Sequence, residues 1–152
     1  MKTSYLPVGL PAPLADRQGP TAPFWKGLQD GALRIQFCRA CNAVQWGPDY
    51  ICNACHSLDL DWKPVEPEGR IYSWTRVWQA AQPVLEGSVP YVVVLVELVS
   101  AQGVRLVGNL LGEPLQPVEI GMPVVGVFES HEEAGTSYTL LQWRKMDGDW
   151  RC

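Results

Sequence analysis

Four of the chain's five cysteines fall in two Cys-x2-Cys pairs, Cys38/Cys41 and Cys52/Cys55, separated by the ten residues NAVQWGPDYI. No other feature restricts the fold as tightly. Each pair can turn two thiolates toward one point, and two such turns supply the four soft ligands of a tetrahedral ion. A site closed by four thiolates leaves no position for water or substrate, so its expected role is structural. Zinc is the expected ion, although iron in a rubredoxin-like site takes the same ligands. Two local disulfides or four unrelated thiols are the alternatives. His56 follows Cys55 directly but is surplus to a four-cysteine set and reads as a loop histidine; Cys152 reads as a free terminal thiol.

The compartment bears on that choice. The first twenty residues carry no apolar core followed by a small-residue cleavage site, and no run approaches the roughly 18 apolar residues of a membrane span. The expected location is therefore cytoplasmic, where thiols stay reduced and paired cysteines read as metal ligands. With 152 residues, 47% hydrophobic and 18% charged, the chain can bury a real core, while 13 Pro and 14 Gly predict many turns and little helix.

Residues 1–21 carry Pro7, Pro11, Pro13 and Pro20 without hydrophobic periodicity and predict an extended arm. TAPFWKGLQDG predicts a helix of one or two turns, with Thr21 as cap, Pro23 in the first turn and Gly31 as terminator. Leu33, Ile35 and Phe37 alternate with Arg34 and Gln36, predicting a half-buried strand that runs into Cys38. DLDWKPVEPEG reads as a connector. Beyond it, strands are expected near 70–79, 90–99, 104–111, 124–130 and 138–144. The expected class is thus mainly β: an arm over 1–21, a short helix plus zinc ribbon over 22–62, and a barrel with a C-terminal tail over 63–152. PYVVVLVELV, apolar on both faces apart from Glu97, is expected to be central and covered on both sides. Gly108 is expected at a bulge or barrel corner. Five strands with a long third connection suit the five-stranded Greek-key barrel called the OB-fold.

FWKGLQDGALRIQFCRACNAVQWGPDYICNAC, GRIYSWTRVW, VPYVVVLVELV, GNLLG and IGMPVVGVFE, in that order over about residues 22–130, resemble the zinc-ribbon plus OB-fold proteins associated with acyl-CoA metabolism. The resemblance implies a short helical segment and a rubredoxin-like zinc ribbon in front of an OB barrel. It also implies assembly with thiolase-like enzymes. Members of that family bridge a thiolase and a hydroxymethylglutaryl-CoA synthase in archaea; in bacterial steroid side-chain breakdown they partner a thiolase-like aldolase or join a MaoC-type hydratase. The tail YTLLQWRKMDGDWRC departs from the pattern in its length and tryptophan content, and is expected to suit docking.

Strict alternation along 70–79 places Tyr72, Trp74, Arg76 and Trp78 on one side. Trp74, Arg76 and Trp78 are the candidate residues for a CoA ester, through indole stacking and a phosphate-pairing guanidinium. The competing reading packs these aromatics against the ribbon or helix. Glu97 is expected to pair with Arg105 across the hairpin. No catalytic constellation is recognisable: two histidines, a closed metal site and an acidic turn around His131 predict a chain that performs no bond-making step alone. Three functions remain: an accessory subunit of a thiolase-like enzyme, a polynucleotide-binding module, and an independent hydratase or aldolase. Charge disfavours the second, because 12 basic against 16 acidic residues leave a net charge of −4 and no basic groove.

Overall fold

The computed structural model describes residues 18–101, 103–133 and 135–146. Residues 1–17, which make up most of the expected arm over 1–21, and the last six residues, Cys152 among them, lie outside these. Helix α1 spans Ala22–Gln29, with Pro23 in its first turn and Phe24 and Leu28, one turn apart, buried together. Its start is held by the Thr21 backbone carbonyl, which accepts from the Phe24 amide at 3.0 Å; the Thr21 side chain makes no cap. Its end is a Schellman motif: the Ala32 amide donates to Gly27 at 2.8 Å and the Gly31 amide to Leu28 at 3.1 Å. Gly31 occupies the left-handed position at φ 74° that this motif requires.

The ribbon is a three-stranded antiparallel sheet, β1 (Leu33–Cys38), β2 (Val44–Gln45) and β3 (Leu60–Val65), in the order β2-β1-β3. β3 corrects the sequence reading, which took DLDWKPVEPEG for a connector because it is rich in proline and acidic residues. Six residues pair in register with β1, from Leu60 opposite Cys38 to Val65 opposite Leu33. Pro64 is tolerated because β3 is an edge strand with a neighbour on one side only. β3 also runs across the expected 62/63 division between ribbon and barrel.

The second sheet holds β4 (Glu68–Val77), β5 (Tyr91–Leu98), β6 (Arg105–Asn109), β7 (Pro123–Glu133) and β8 (Thr136–Lys145), in the order β6-β5-β4-β7-β8. A parallel bridge between Leu110 and Trp143 closes it, with the Leu111 amide donating to the Trp143 carbonyl at 2.8 Å. The Asn109 amide donates to the Gln142 side chain at 2.6 Å. This is the expected five-stranded OB barrel behind a short helix and a four-cysteine ribbon. Its core is Ile71, alternate valines of β5, Leu106, Leu110, Val124, Leu141 and Trp143. Trp143, expected in a docking tail, is fully buried there.

Three further expectations change. β5 is covered on one face: Val92, Val94, Val96 and Leu98 are buried, whereas Tyr91, Val93, Leu95 and Glu97 are only partly so. The β7–β8 hairpin runs to Glu133 and resumes at Thr136, so the residues read as the turn HEEAGTS are mostly strand. Gly108 is a point of close approach: a Cβ there would sit 2.7 Å from the Leu141 carbonyl oxygen and 2.8 Å from the Trp143 ring. Helix α1 lies across both sheets, packing on β1 and β8, and Gln29 donates to the Ser137 carbonyl at 3.2 Å.

Gly108→Ala should therefore destabilise the chain by about 1–3 kcal/mol, the usual cost of forced overpacking. Gly87→Ala, where a Cβ meets nothing within 4 Å, should stay within about 0.5 kcal/mol. Urea denaturation of the two variants makes the comparison.

Candidate metal centre

The two knuckles are built alike. In the first, the Asn42 amide donates to the Cys38 carbonyl at 2.8 Å and the Cys38 amide to Ala43 at 2.9 Å; in the second, His56 donates to Cys52 at 2.9 Å and Cys52 to Ser57 at 2.8 Å. Asn42 and His56, each directly after the second cysteine of its pair, both take the left-handed conformation at φ 60°. His56 is exposed and belongs to the turn, as expected.

The Sγ atoms of Cys38, Cys41, Cys52 and Cys55 lie within 4.8 Å of one another. Cys38 and Cys55 are 3.6 Å apart, and Cys41 and Cys52 3.7 Å. A tetrahedron with metal–sulfur bonds of about 2.3 Å has edges of about 3.8 Å, whereas a disulfide needs about 2.0 Å. The donor set fits a tetrahedral thiolate-bound ion, and all four cysteines are free thiols. Cys38 and Cys52 are buried, Cys41 and Cys55 exposed. The Cys55 and Ala54 amides, donating to Cys52, lower that thiol to about 6. The Ser57 amide favours the Cys55 thiolate, yet the neighbouring sulfurs, Cys41 first, outweigh it and push this thiol up to about 12. Four sulfurs this close cannot all ionise without a cation among them.

A pair of buried glutamines, which the sequence reading did not single out, holds the loop between the knuckles. Gln45 donates to the Gln36 side chain at 2.6 Å; Gln36 donates to the Asp49 carbonyl at 2.8 Å; the Asn53 amide donates to Gln45 at 3.0 Å. Alternation along β1 hid Gln36, because it groups this residue with Arg34 on the outward side, whereas Gln36 is buried and Phe37 only partly so. Trp46 follows Gln45 and meets Phe24 of α1 edge-on, with ring centroids 4.7 Å apart, so the ribbon loop is seated on the helix. Arg39 and Asp61 form an ion pair from the first knuckle to β3, which lowers the Asp61 carboxyl.

The expected aromatic face on β4 is only partly assembled. The register against β5 shifts between Ile71 and Ser73, so Tyr72 drops out of phase with Trp74 and Arg76. Trp74 and Arg76 stand opposite Val94 and Val92, on the side that leads into the barrel, with the guanidinium 5.5 Å from the Trp74 ring. Trp78 lies beyond the end of β4 and is 62% exposed. Tyr72 instead lies under Arg105, 3.5 Å from ring to guanidinium, and Arg105 donates to Glu97 at 2.8 Å, the expected cross-hairpin pair. Arg76 donates from Nε to the Pro114 carbonyl at 3.0 Å and from Nη2 to the Gln116 carbonyl at 2.7 Å, clamping the β6–β7 connection. His131 is on β7, hydrogen-bonded to Glu129 and stacked on Tyr138 at 5.0 Å.

Two family models cover most of the chain: the ChsH2 rubredoxin-like zinc ribbon domain over residues 25–61 and the ChsH2 C-terminal OB-fold domain over 62–129. The chain belongs to this ribbon and OB-fold family. Among solved structures it resembles a chain of "Ltp2-ChsH2(DUF35) aldolase", with TM-score 0.73 and 33% identity, over 88% of this chain and 98% of that one. A DUF35-family protein of unknown function from Sulfolobus solfataricus has the same fold, with TM-score 0.56 and 14% identity, over 86% of this chain and 89% of that one. A "Probable enoyl-CoA hydratase alpha subunit" of Thermomonospora curvata is 40% identical over 67% of this chain, but only 31% of its own length is matched. For the "3-oxo-4,17-pregnadiene-20-carboxyl-CoA hydratase alpha subunit" of Mycobacterium tuberculosis the figures are 31% identity, 79% and 40%. A "DUF35 domain-containing scaffold protein" of Methanocaldococcus jannaschii is 28% identical over 73% of this chain and 78% of its own. The ChsH2 ribbon domain thus coincides with the four-sulfur cluster. Among the described residues no helix is long and apolar enough to cross a membrane.

Elemental analysis should find about one zinc per chain, and Cys41→Ser should abolish its retention and lower the melting temperature. Because the ion must displace the protons that hold Cys55 neutral up to about 12, zinc affinity measured against a chelator should rise with pH from 6 upward.

Proposed function

We propose that this chain is the accessory subunit of a thiolase-like acyl-CoA enzyme, of the thiolase or aldolase kind, and that the catalytic groups belong to the partner. The observation that carries this reading is the match over 98% of the DUF35 chain of an aldolase assembly. The residue inventory supports it. Among the described residues the thiols are the four ribbon cysteines, and the two histidines are an exposed turn residue and a partner of Glu129. Zinc in the ribbon is structural in this reading: a closed set of four thiolates cross-links two turns and leaves no reactive position. The cytoplasm is the compartment that keeps those thiols reduced.

A second reading, a component of a MaoC-like acyl-CoA hydratase, is favoured by the names of the two hydratase alpha subunits. The identity of the enzyme that binds the chain separates the two. Direct contact with the CoA ester by Trp74, Arg76 and Trp78 is the finer part of the proposal. Trp74, 36% exposed beside the Arg76 guanidinium, is the best placed of the three to receive an adenine ring.

Light scattering on this chain mixed with its thiolase-like enzyme should give a stable hetero-complex at micromolar concentration. Separate elution, or acyl-CoA turnover by this chain alone, would overturn the reading. In the complex, Trp74→Ala should weaken CoA-ester binding by about 0.5–1.5 kcal/mol, the worth of an aromatic stack, at unchanged zinc content. Titration calorimetry beside elemental analysis tests this.

A further inference from the structure

Four of the chain's cationic side chains are held by carboxylates: Lys26 and Arg34 by Asp30, Arg39 by Asp59 and Asp61, and Arg105 by Glu97. Arg76 and Lys145 differ. Among the described residues neither has a carboxylate within ion-pair distance; both donate to backbone carbonyls of one connection, Arg76 to Pro114 and Gln116, Lys145 to Pro117. The sequence reading singled out Arg76 alone. Lys145 reaches the same place because β8 pairs with β7 opposite Val124, just after that connection ends.

The two cations are close enough to feel each other. Lys145 is held below the ordinary lysine range by burial first and by the Arg76 charge second, while Glu119 acts the other way more weakly. A guanidinium has five N–H donors and an ammonium three. Toward the described residues, Arg76 uses two of its five and Lys145 one of its three. The rest remain in a half-buried place where water screens charge less than at an open surface. Two neighbouring cations that repel, hold spare donors and have no carboxylate within ion-pair distance among the described residues are stabilised by a multivalent oxyanion. The exposed indole of Trp74, 5.5 Å from the guanidinium, gives the place a flat apolar wall.

We propose that Arg76 and Lys145, with Trp74 beside them, form a binding site for a phosphate or pyrophosphate group under the connection between β6 and β7. The inference shares Arg76 with the CoA-ester reading and rests on that reading for the biological source of the phosphate; the anion site itself rests on the two cations.

Inorganic pyrophosphate and CoA serve as separate probes, titrated calorimetrically into the full chain. Lys145→Met keeps the aliphatic stem, and water replaces its bond to the exposed Pro117 carbonyl, so the fold should persist. Arg105→Met, which breaks an ion pair elsewhere, is the matched control. Pyrophosphate should bind the parent and Arg105→Met alike, weaken about tenfold or more in Lys145→Met, and recover in Lys145→Arg. Pyrophosphate binding that needs Lys145, without CoA binding, leaves the anion site standing and removes the CoA-ester reading. CoA binding indifferent to Lys145 does the reverse. The site is overturned if millimolar pyrophosphate does not bind, or if Lys145→Met binds it as Arg105→Met does. A Lys145→Met chain that fails to fold shifts the decision to Lys145→Arg and to added salt: binding lost in Lys145→Arg, or insensitive to salt, also overturns it.

Discussion

Convergence of four sulfurs is the constraint on which the front of the molecule depends. The ribbon has three strands, one of them two residues long, and its buried Leu33 and Ile35 belong to the core shared with the helix and barrel. What holds its outer loop is the pair of knuckles, the Gln36–Gln45 bonds and the seat of Trp46 on Phe24. An ion shared by the four thiolates would cross-link the two knuckles, which lie beyond the reach of that core. Because Trp46 rests on α1, and α1 packs on β8, the order imposed at the sulfurs reaches the barrel wall through one helix.

The same economy appears at the far side of the barrel. In the connection from Leu111 to Met122 the Glu113, Glu119 and Met122 carbonyls accept from backbone amides, and several others accept from side chains: those of Arg70, Arg76, Lys145, and Gln116, which donates to Leu111 at 3.0 Å. A long connection can be ordered this way because cationic donors reach several carbonyls at once. Arg76 thus has a structural duty whatever ligand it also meets.

Local signals were legible in the sequence and relational ones were not. The cysteine spacing announced the ribbon, Gly31 the end of the helix, and Glu97 and Arg105 a cross-strand pair. Each depends on residues close together along the chain or on one residue type with one physical use. The strand β3 was hidden because Pro64 argues against a strand unless it is known to be an edge, which only the pairing with β1 reveals. The bulge at Tyr72 was hidden because strict alternation is the only rule a sequence supplies, and one extra residue reverses every face after it. Lys145 lay in a stretch read as a tail, and its proximity to Arg76 follows from barrel topology alone.

Closure of the barrel through Leu110 and Trp143 has a consequence for the order in which the molecule can form. The ribbon is complete by Val65, since β1 pairs only with β2 and β3, both of which precede the barrel in the chain. The barrel cannot close until β8 has left the ribosome, because β8 alone joins β7 to the free edge of β6. In the interval, Leu106, Leu110 and the buried valines of β5 face water, and the exposed edge invites pairing with another chain. Such a fold is early at its front and late at its back. A partner that recognised the finished barrel wall would meet it only after the last described strand is in place.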